Sequence, residues 1–370
     1  MSTLPRIGIA VPTVRRESFE TFVAAWNPIW RALAGRFELA LYVHEDRPAR
    51  SFELGREQAG IESVHTCHAD LAERLGASEW IVPRGSGACR SFPMYLAWKD
   101  GCEYVVTLDD DCLPVAGETG EFFATHLAAF RLDRWFRTLD GDDPRGIPYG
   151  ERGCLPVLLN HGLWENVPDL DGPTSLVRAR RPQPVSLRAR CEIVPPGVWF
   201  PLCGMNVCYH RSAIPAAYNL LMGVASVGFD RFDDIWSGFF LKRIADHLGL
   251  YCTSGLPHVN HSKASNPFVN LRKEALGIHL NEFVWRHVEA APLESHTIRG
   301  AFAELGAWMR ELPRAFPDAP SVPGYFDRLG DAMLEWTELC STADGSADDL
   351  PAGAPANAVK AWRDARAARA

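Results

Sequence analysis

Acids crowd the end of one apolar run. Glu103-Tyr104-Val105-Val106-Thr107-Leu108 leads directly into Asp109-Asp110-Asp111-Cys112. Tyr, Val, Thr and Leu favour a pleated, buried strand. Acids at its end fall in the crevice where open α/β sheets bind ligands. Two carboxylates about 4 Å apart repel by roughly 4 kcal/mol at an effective dielectric of 20. Protonation, a basic partner or a divalent cation with hard oxygen ligands relieves that repulsion. A cation bridging the carboxylates to a diphosphate suits the arrangement best; a solvated acidic turn is the plain alternative.

Other polar groups stand where neighbouring elements are expected to end. Thr13 and Arg15 follow the apolar run that starts at Arg6, and His44-Glu45-Asp46 follow Phe37 to Val43. Arg84-Gly85-Ser86-Gly87-Ala88-Cys89-Arg90 brings backbone N–H groups within reach of an anion ahead of a helix, with Arg84 and Arg90 tilting it toward a diphosphate. As a motif it is equally compatible with an ordinary loop. Asp233 and Asp234 open a helix whose apolar face is Ile235, Phe239, Leu241, Ile244 and Leu248, with Gly249 as its stop.

The elements that must position these groups alternate between strands and helices. That pattern predicts a parallel, doubly wound α/β sheet. Phe19, Phe22, Val23 and Trp26 recur at helical spacing after the first strand. Residues 49–80 read as polar and less regular, and an amphipathic helix is expected around Phe122 to Trp135. A turn-rich stretch spans Gly141 to Gly153, and five arginines between 178 and 190 read as a solvated basic loop. Trp199 to Tyr209 is apolar around Gly204, which permits close approach beside the crevice. Tyr251 to Val259 is a short strand leading to His261-Ser262-Lys263. The chain beyond about residue 290 is helical. The division expected is a catalytic domain over 1–290, a helical extension over 291–340 and a tail over 341–370, rich in Ala, Gly, Asp and Arg.

The 370 residues, 47% of them hydrophobic, suffice for a large core. A net charge of -8 argues against a general nucleic-acid or membrane-surface role, though not against a locally basic pocket. The ten cysteines form no CxxC pair and no zinc spacing, which points to reduced thiols in the cytoplasm. No signal peptide and no run of the ~20 apolar residues that span a bilayer is present, so membrane insertion is not expected. Exposed aromatic residues on the C-terminal helices are compatible with a homo-oligomer.

Long strings then resemble one family. HGLWENVPDLDGPTSLV, FPLCGMNVCYHRSAI, RFDDIWSGFFLKRIADHLGL and GLPHVNHSKASNPFVNLRKE are similar to the reversibly glycosylated polypeptides, the UDP-arabinopyranose mutases of plants. The strand ending in DDDC, the preceding ACR and YFDRLGDAMLEW also match. The resemblance implies a GT-A type, Rossmann-like fold, a UDP-sugar ligand, a Mn2+ (or Mg2+) ion, and interconversion of the pyranose and furanose forms of UDP-L-arabinose. It also implies reversible self-glycosylation on an arginine, here Arg145 in different flanking sequence. In such a fold Asp109 and Asp111 flank the ion, Asp110 between them is expected to be catalytic and indispensable for activity, and His261 is a further ligand or phosphate contact. Lys263 is placed for a phosphate oxygen, and Glu45 and Asp46 for a uracil N–H or ribose hydroxyl. Asp233 and Asp234 either recognise sugar or supply a base, against the plain alternative of capping their helix. A guanidinium is a poor nucleophile, so attack by Arg145 requires a neighbouring carboxylate such as Asp142 or Asp143, unless Arg145 clamps the diphosphate instead. Transfer to a separate acceptor and a non-catalytic UDP-sugar-binding subunit are the rival functions.

Overall fold

The computed structural model describes residues 4–136, 138, 143–181, 187–262, 265–341 and 350–351. Nine strands form one sheet in the order β3-β2-β1-β4-β8-β6-β9-β5, with β7 (Glu192–Val194) paired to β9. β1 (Arg6–Thr13), β2 (Glu38–Glu45), β3 (Glu62–Cys67) and β4 (Tyr104–Leu108) run parallel, as alternating apolar and helical stretches require. Beyond β4 the sheet is mixed. β8 (Asn206–His210) is antiparallel to β4 and to β6 (Val157–Asn166), β6 is parallel to β9 (Tyr251–His261), and β5 (Cys112–Pro114) closes the far edge against β9.

α1 (Arg16–Ala32) buries Phe19, Phe22, Val23, Trp26 and Trp30 against one face of the sheet. α2 (Ser91–Lys99), apolar on every side, lies in the core on the other. α3 (Glu121–Ala129) is shorter than the expected helix to Trp135. The chain leaves it to bond elsewhere: Leu155 N–H donates to Leu132 O at 2.8 Å, and Arg134 N–H to Gly153 O at 3.0 Å. Residues 49–80 are more regular than their polarity suggests, since they contain β3 as a half-covered edge strand. The strand expected over 251–259 runs on to His261, because β5, β6 and β7 all pair with it.

α4 (Gly172–Arg180) packs on α6 (Pro267–Glu289), and α5 (Asp233–Leu248) is almost wholly buried behind the sheet. α7 (Ile298–Met309) and α8 (Tyr325–Leu339) join the same apolar cluster as α2 and α5. The expectation of exposed aromatic residues there is overturned. Phe302, Tyr325, Phe326 and Trp336 are buried, and Trp336 stacks on Tyr218 at 5.4 Å. Each such ring contributes about 1.5–3 kcal/mol by leaving water, so these side chains face the rest of the chain and not a second copy. Among the described residues no helix is long and apolar enough to cross a membrane.

Candidate active site

Strand register carries the polar groups to one end of the sheet. Ala10 pairs with Thr107, so three residues on, Thr13 comes level with Asp110. Thr13 pairs with Glu45, Leu108 with Asn206, and Cys112 with His261. The ends of β1, β2, β4 and β9 and the loop before β8 therefore meet over one crevice, where an α/β sheet presents its site.

Asp109, Asp110 and Asp111 form the tight turn between β4 and β5, closed by Cys112 N–H to Asp109 O at 3.0 Å. Thr13 Oγ1 donates to Asp110 Oδ2 at 2.7 Å, and Arg15 bridges Asp110 and Asp111, the latter at 3.2 Å. Arg90 donates to Asp109 and, at 2.9 Å, to Gly204 O, which also takes the Thr107 hydroxyl at 2.8 Å. The N–H of the same Gly204 donates to Asp234 Oδ2 at 2.9 Å. A Cβ at 204 would lie 3.1 Å from Arg90 Cδ, a tight fit that would make the Arg90 side chain give way. Gly87 is more tightly constrained: a Cβ there would overlap the Asp233 carboxylate.

The carboxyls differ in environment. Asp110 is buried and its carboxyl lies above the usual range, because loss of water outweighs the pull of Thr13 and Arg15. Burial pushes Asp233 well above that range, the adjacent Asp234 adds to the rise, and Arg90 opposes it. Asp234 is raised by burial too, against Arg90 and the Gly204 N–H. The two stand in the first turn of α5 without capping it; the N-cap is Phe232, which has no side-chain bond. Both carboxyls thus hold a proton more tightly than a free aspartate does. For Arg90 burial alone would favour the neutral form, but Asp109, Asp234 and Asp233 hold the guanidinium firmly charged.

His261 Nδ1 faces Val167 O at 2.9 Å, and its Nε2 lies 4.0 Å from Asp111 Oδ1. A carbonyl only accepts, so Nδ1 carries the proton. In the neutral ring Nε2 then turns a lone pair toward a carboxylate. A proton or a cation between them satisfies both, and a ligating imidazole ordinarily gives its other N–H to a carbonyl in this way. Asp111 and His261, with Asp109 beside them, suit a hard divalent ion that also tolerates one nitrogen. Among the described residues no three such groups already converge as a ligand set.

The β2-end acids are committed to protein partners. Glu45 is buried and accepts from Ser51 N–H at 2.8 Å and from the Ser51 hydroxyl, with His65 3.5 Å and Arg47 3.3 Å away. Asp46 accepts from Gly85 N–H at 2.8 Å and lies 3.1 Å from His68 Nε2. Burial would raise Asp46, but those two partners bring it below the usual range. The glycine loop expected to meet a phosphate therefore spends the Gly85 N–H on this side chain. Arg84 is exposed. Arg145 lies in an exposed turn, and Asp143, suggested as its base, pairs with Arg152 at 2.9 Å. Asp142 and Lys263 fall outside the described residues.

Two groups at the site were not singled out from sequence. Asp169 and Arg231 pair at 3.6 Å, both about one-third exposed, and both act electrostatically on Asp234. Asp169 could have been found, since it lies in one of the family-like strings. Arg231 opens another of those strings, but its backbone angle, on which its role depends, is not written in the sequence.

The strand order and the acids at the β4 end make this a GT-A type α/β protein. The family model described as reversibly glycosylated polypeptide matches residues 5–344, and the chain belongs to that family. The probable UDP-arabinopyranose mutase 1 of Solanum tuberosum is 33% identical over 347 residues, 90% of this chain and 89% of that one. UDP-arabinopyranose mutase 1 of Arabidopsis thaliana is likewise 33% identical, over 90% of this chain and 91% of that one. Among solved structures, S. aureus TarS 1–349 in complex with UDP-GlcNAc is 11% identical, with a TM-score of 0.42 over 91% of this chain and 90% of that one. A likeness of that size adds nothing to the reading.

Proposed function

We propose that this chain is a UDP-sugar mutase that interconverts the pyranose and furanose rings of UDP-L-arabinose with the help of Mn2+ or Mg2+. Family membership and the names of the relatives support the reading. The observation that carries it is the carboxyl pair of Asp233, which is buried, and Asp234, joined through the Gly204 peptide to the strand-end acids. A cation held by Asp111, His261 and Asp109 supplies positive charge to the diphosphate when bound. Arg15 and Arg90 add fixed positive charge on the same side.

Ring contraction is proton bookkeeping around one carbon. The anomeric C–O bond to the diphosphate breaks, with its electron pair leaving on UDP. A different hydroxyl closes on that carbon while the old ring oxygen departs, and UDP, kept in the site, recaptures the sugar. One proton leaves the incoming hydroxyl and one reaches the departing oxygen, so nothing is gained or lost. In this mechanism Asp234 takes the first and Asp233 gives the second, as two carboxyls with shifted affinities can. On this reading Arg145 carries a separate, reversible pentose adduct, and the enzyme works in a reducing cytosolic setting.

The test is incubation of pure protein with UDP-arabinopyranose and Mn2+, followed by chromatography for UDP-arabinofuranose and mass measurement of the protein. New furanose is the expected result. Free UDP with only a protein-bound or acceptor-bound pentose would instead indicate a transferase, and bound UDP with no product a non-catalytic subunit.

A further inference from the structure

Arg231 has φ 70°, in the left-handed region that a non-glycine residue enters at a cost. It stands two residues before Asp233. The turn around it is fastened to α6 at several points. Arg231 Nε donates to Glu274 Oε1 at 2.6 Å, and Asp230 N–H donates to Lys273 O at 3.0 Å. Gly277 lies under Phe232, where a Cβ would come within 2.5 Å of the ring. Glu274 is itself buried, and its second oxygen accepts from Gly172 N–H at 2.8 Å, the first residue of α4. One buried carboxylate therefore ties together α4, α6 and the turn that leads into α5.

We propose that Glu274 is a positioning residue: by holding Arg231 in its left-handed conformation it fixes the turn that presents Asp233 and Asp234. The catalytic consequence rests on the mutase reading above; the mechanical one does not. Hydrogen bonds to a charged group persist in a buried setting, and here they oppose backbone strain that would otherwise relax. α4 follows directly on the loop that carries Asp169 and the Val167 carbonyl, so the same carboxylate steadies the far wall of the site.

Two variants test this. Glu274→Ala removes the tie and leaves Arg231 strained. Glu274→Gln/Arg231→Gly keeps an acceptor for Gly172 N–H and puts at 231 a residue that adopts φ 70° freely. The first readout, independent of activity, is amide hydrogen exchange over residues 229–236. It should accelerate in Glu274→Ala and return to the wild-type rate in the double variant. The second is kinetic: kcat for furanose formation should fall about 10²-fold in Glu274→Ala, as misplaced catalytic groups do, with KM little changed. The double variant should recover to about tenfold above Glu274→Ala, because the turn no longer holds strain to release, while staying below wild type for want of the Arg231 charge near Asp234. Unaltered exchange in Glu274→Ala overturns the proposal whether or not the protein is a mutase. A double variant as slow as Glu274→Ala also overturns it, since the Arg231 side chain would then act on substrate directly. If Glu274→Ala does not fold, the double variant decides alone. Altered exchange together with a wild type that makes no furanose would leave the latch standing and remove the mutase reading.

Discussion

The site holds two acidic groups built in opposite ways. Asp109, Asp110 and Asp111 sit on a turn at the sheet edge, each touched by a guanidinium, with Asp109 and Asp111 partly open to solvent at 28% and 16%. Asp233 and Asp234 sit at a helix start, where the Gly204 and Ile235 N–H groups and glycines meet them, and Asp233 is buried. The same side chain is thus dressed for two tasks. Carboxylates with fixed positive neighbours and an outlet to water suit charge neutralisation. Carboxyls stripped of water suit proton transfer. The contrast shows that an aspartate's role is set by what replaces its hydration, and not by its nearness to the substrate alone.

The comparison is most sharply broken at the buried pair. Asp233→Asn keeps the shape but cannot release a proton, and furanose formation should fall about 10³-fold. Measurement of kcat with saturating UDP-arabinopyranose checks this; an activity near wild type would remove the pair from the chemistry. The same variant should be the more stable protein. Asp233 holds its proton more tightly folded than unfolded, so wild-type stability is fullest below the ordinary aspartate value near 4 and declines as pH rises through the folded value. Thermal unfolding should give Asp233→Asn the higher Tm at pH 7, with the gap closing toward pH 4.

Asp111→Asn probes the other group, and we expect a loss of about 10²-fold in kcat. It should also erase a stabilisation by metal. Mn2+ at about a hundred times its Kd adds about 2.7 kcal/mol to a protein that binds it only when folded. Chelator-treated wild type should therefore gain Tm on adding Mn2+, while Asp111→Asn and His261→Ala should not. An equal gain in both variants would place the ion elsewhere. The smallest effect is expected at Arg145, whose turn is exposed. Arg145→Ala should lose the pentose mass gain yet make furanose within about twofold of wild type. A large loss of turnover would bring that arginine into the ring chemistry.

Much of the charge-handling group was legible in the chain. Apolar β-formers running into three acids announce a strand end, and the first strand ending near Thr13 and Arg15 could be read in the same way. What local sequence does not hold is pairing across distance. Nothing near Arg15 signals that parallel register sets it on Asp110, 95 residues away. The proton-holding group was visible only as a choice between capping and chemistry, because burial of Asp233 depends on Gly87 and on the loop at Gly204. Glu45 and Asp46 looked like free ligand contacts, but Ser51, His68 and Gly85 claim them through turns whose geometry composition does not record. The cover over the C-terminal aromatic residues is hidden for a related reason: periodicity shows that a helix has an apolar face, but not what lies against it.

That cover matters when the protein is made. Trp336 donates its indole N–H to Ile214 O at 3.0 Å and stacks on Tyr218, whose hydroxyl reaches Ile81 O at 2.6 Å, just ahead of the glycine loop. The segment that leads into the crevice is braced by α8, which follows every strand of the sheet in the chain. A nascent chain that has already paired all its strands still lacks this keystone, so competence for UDP should arrive late and abruptly during translation. Release of truncated chains ending near residues 290, 320 and 341 should show nucleotide binding only in the last.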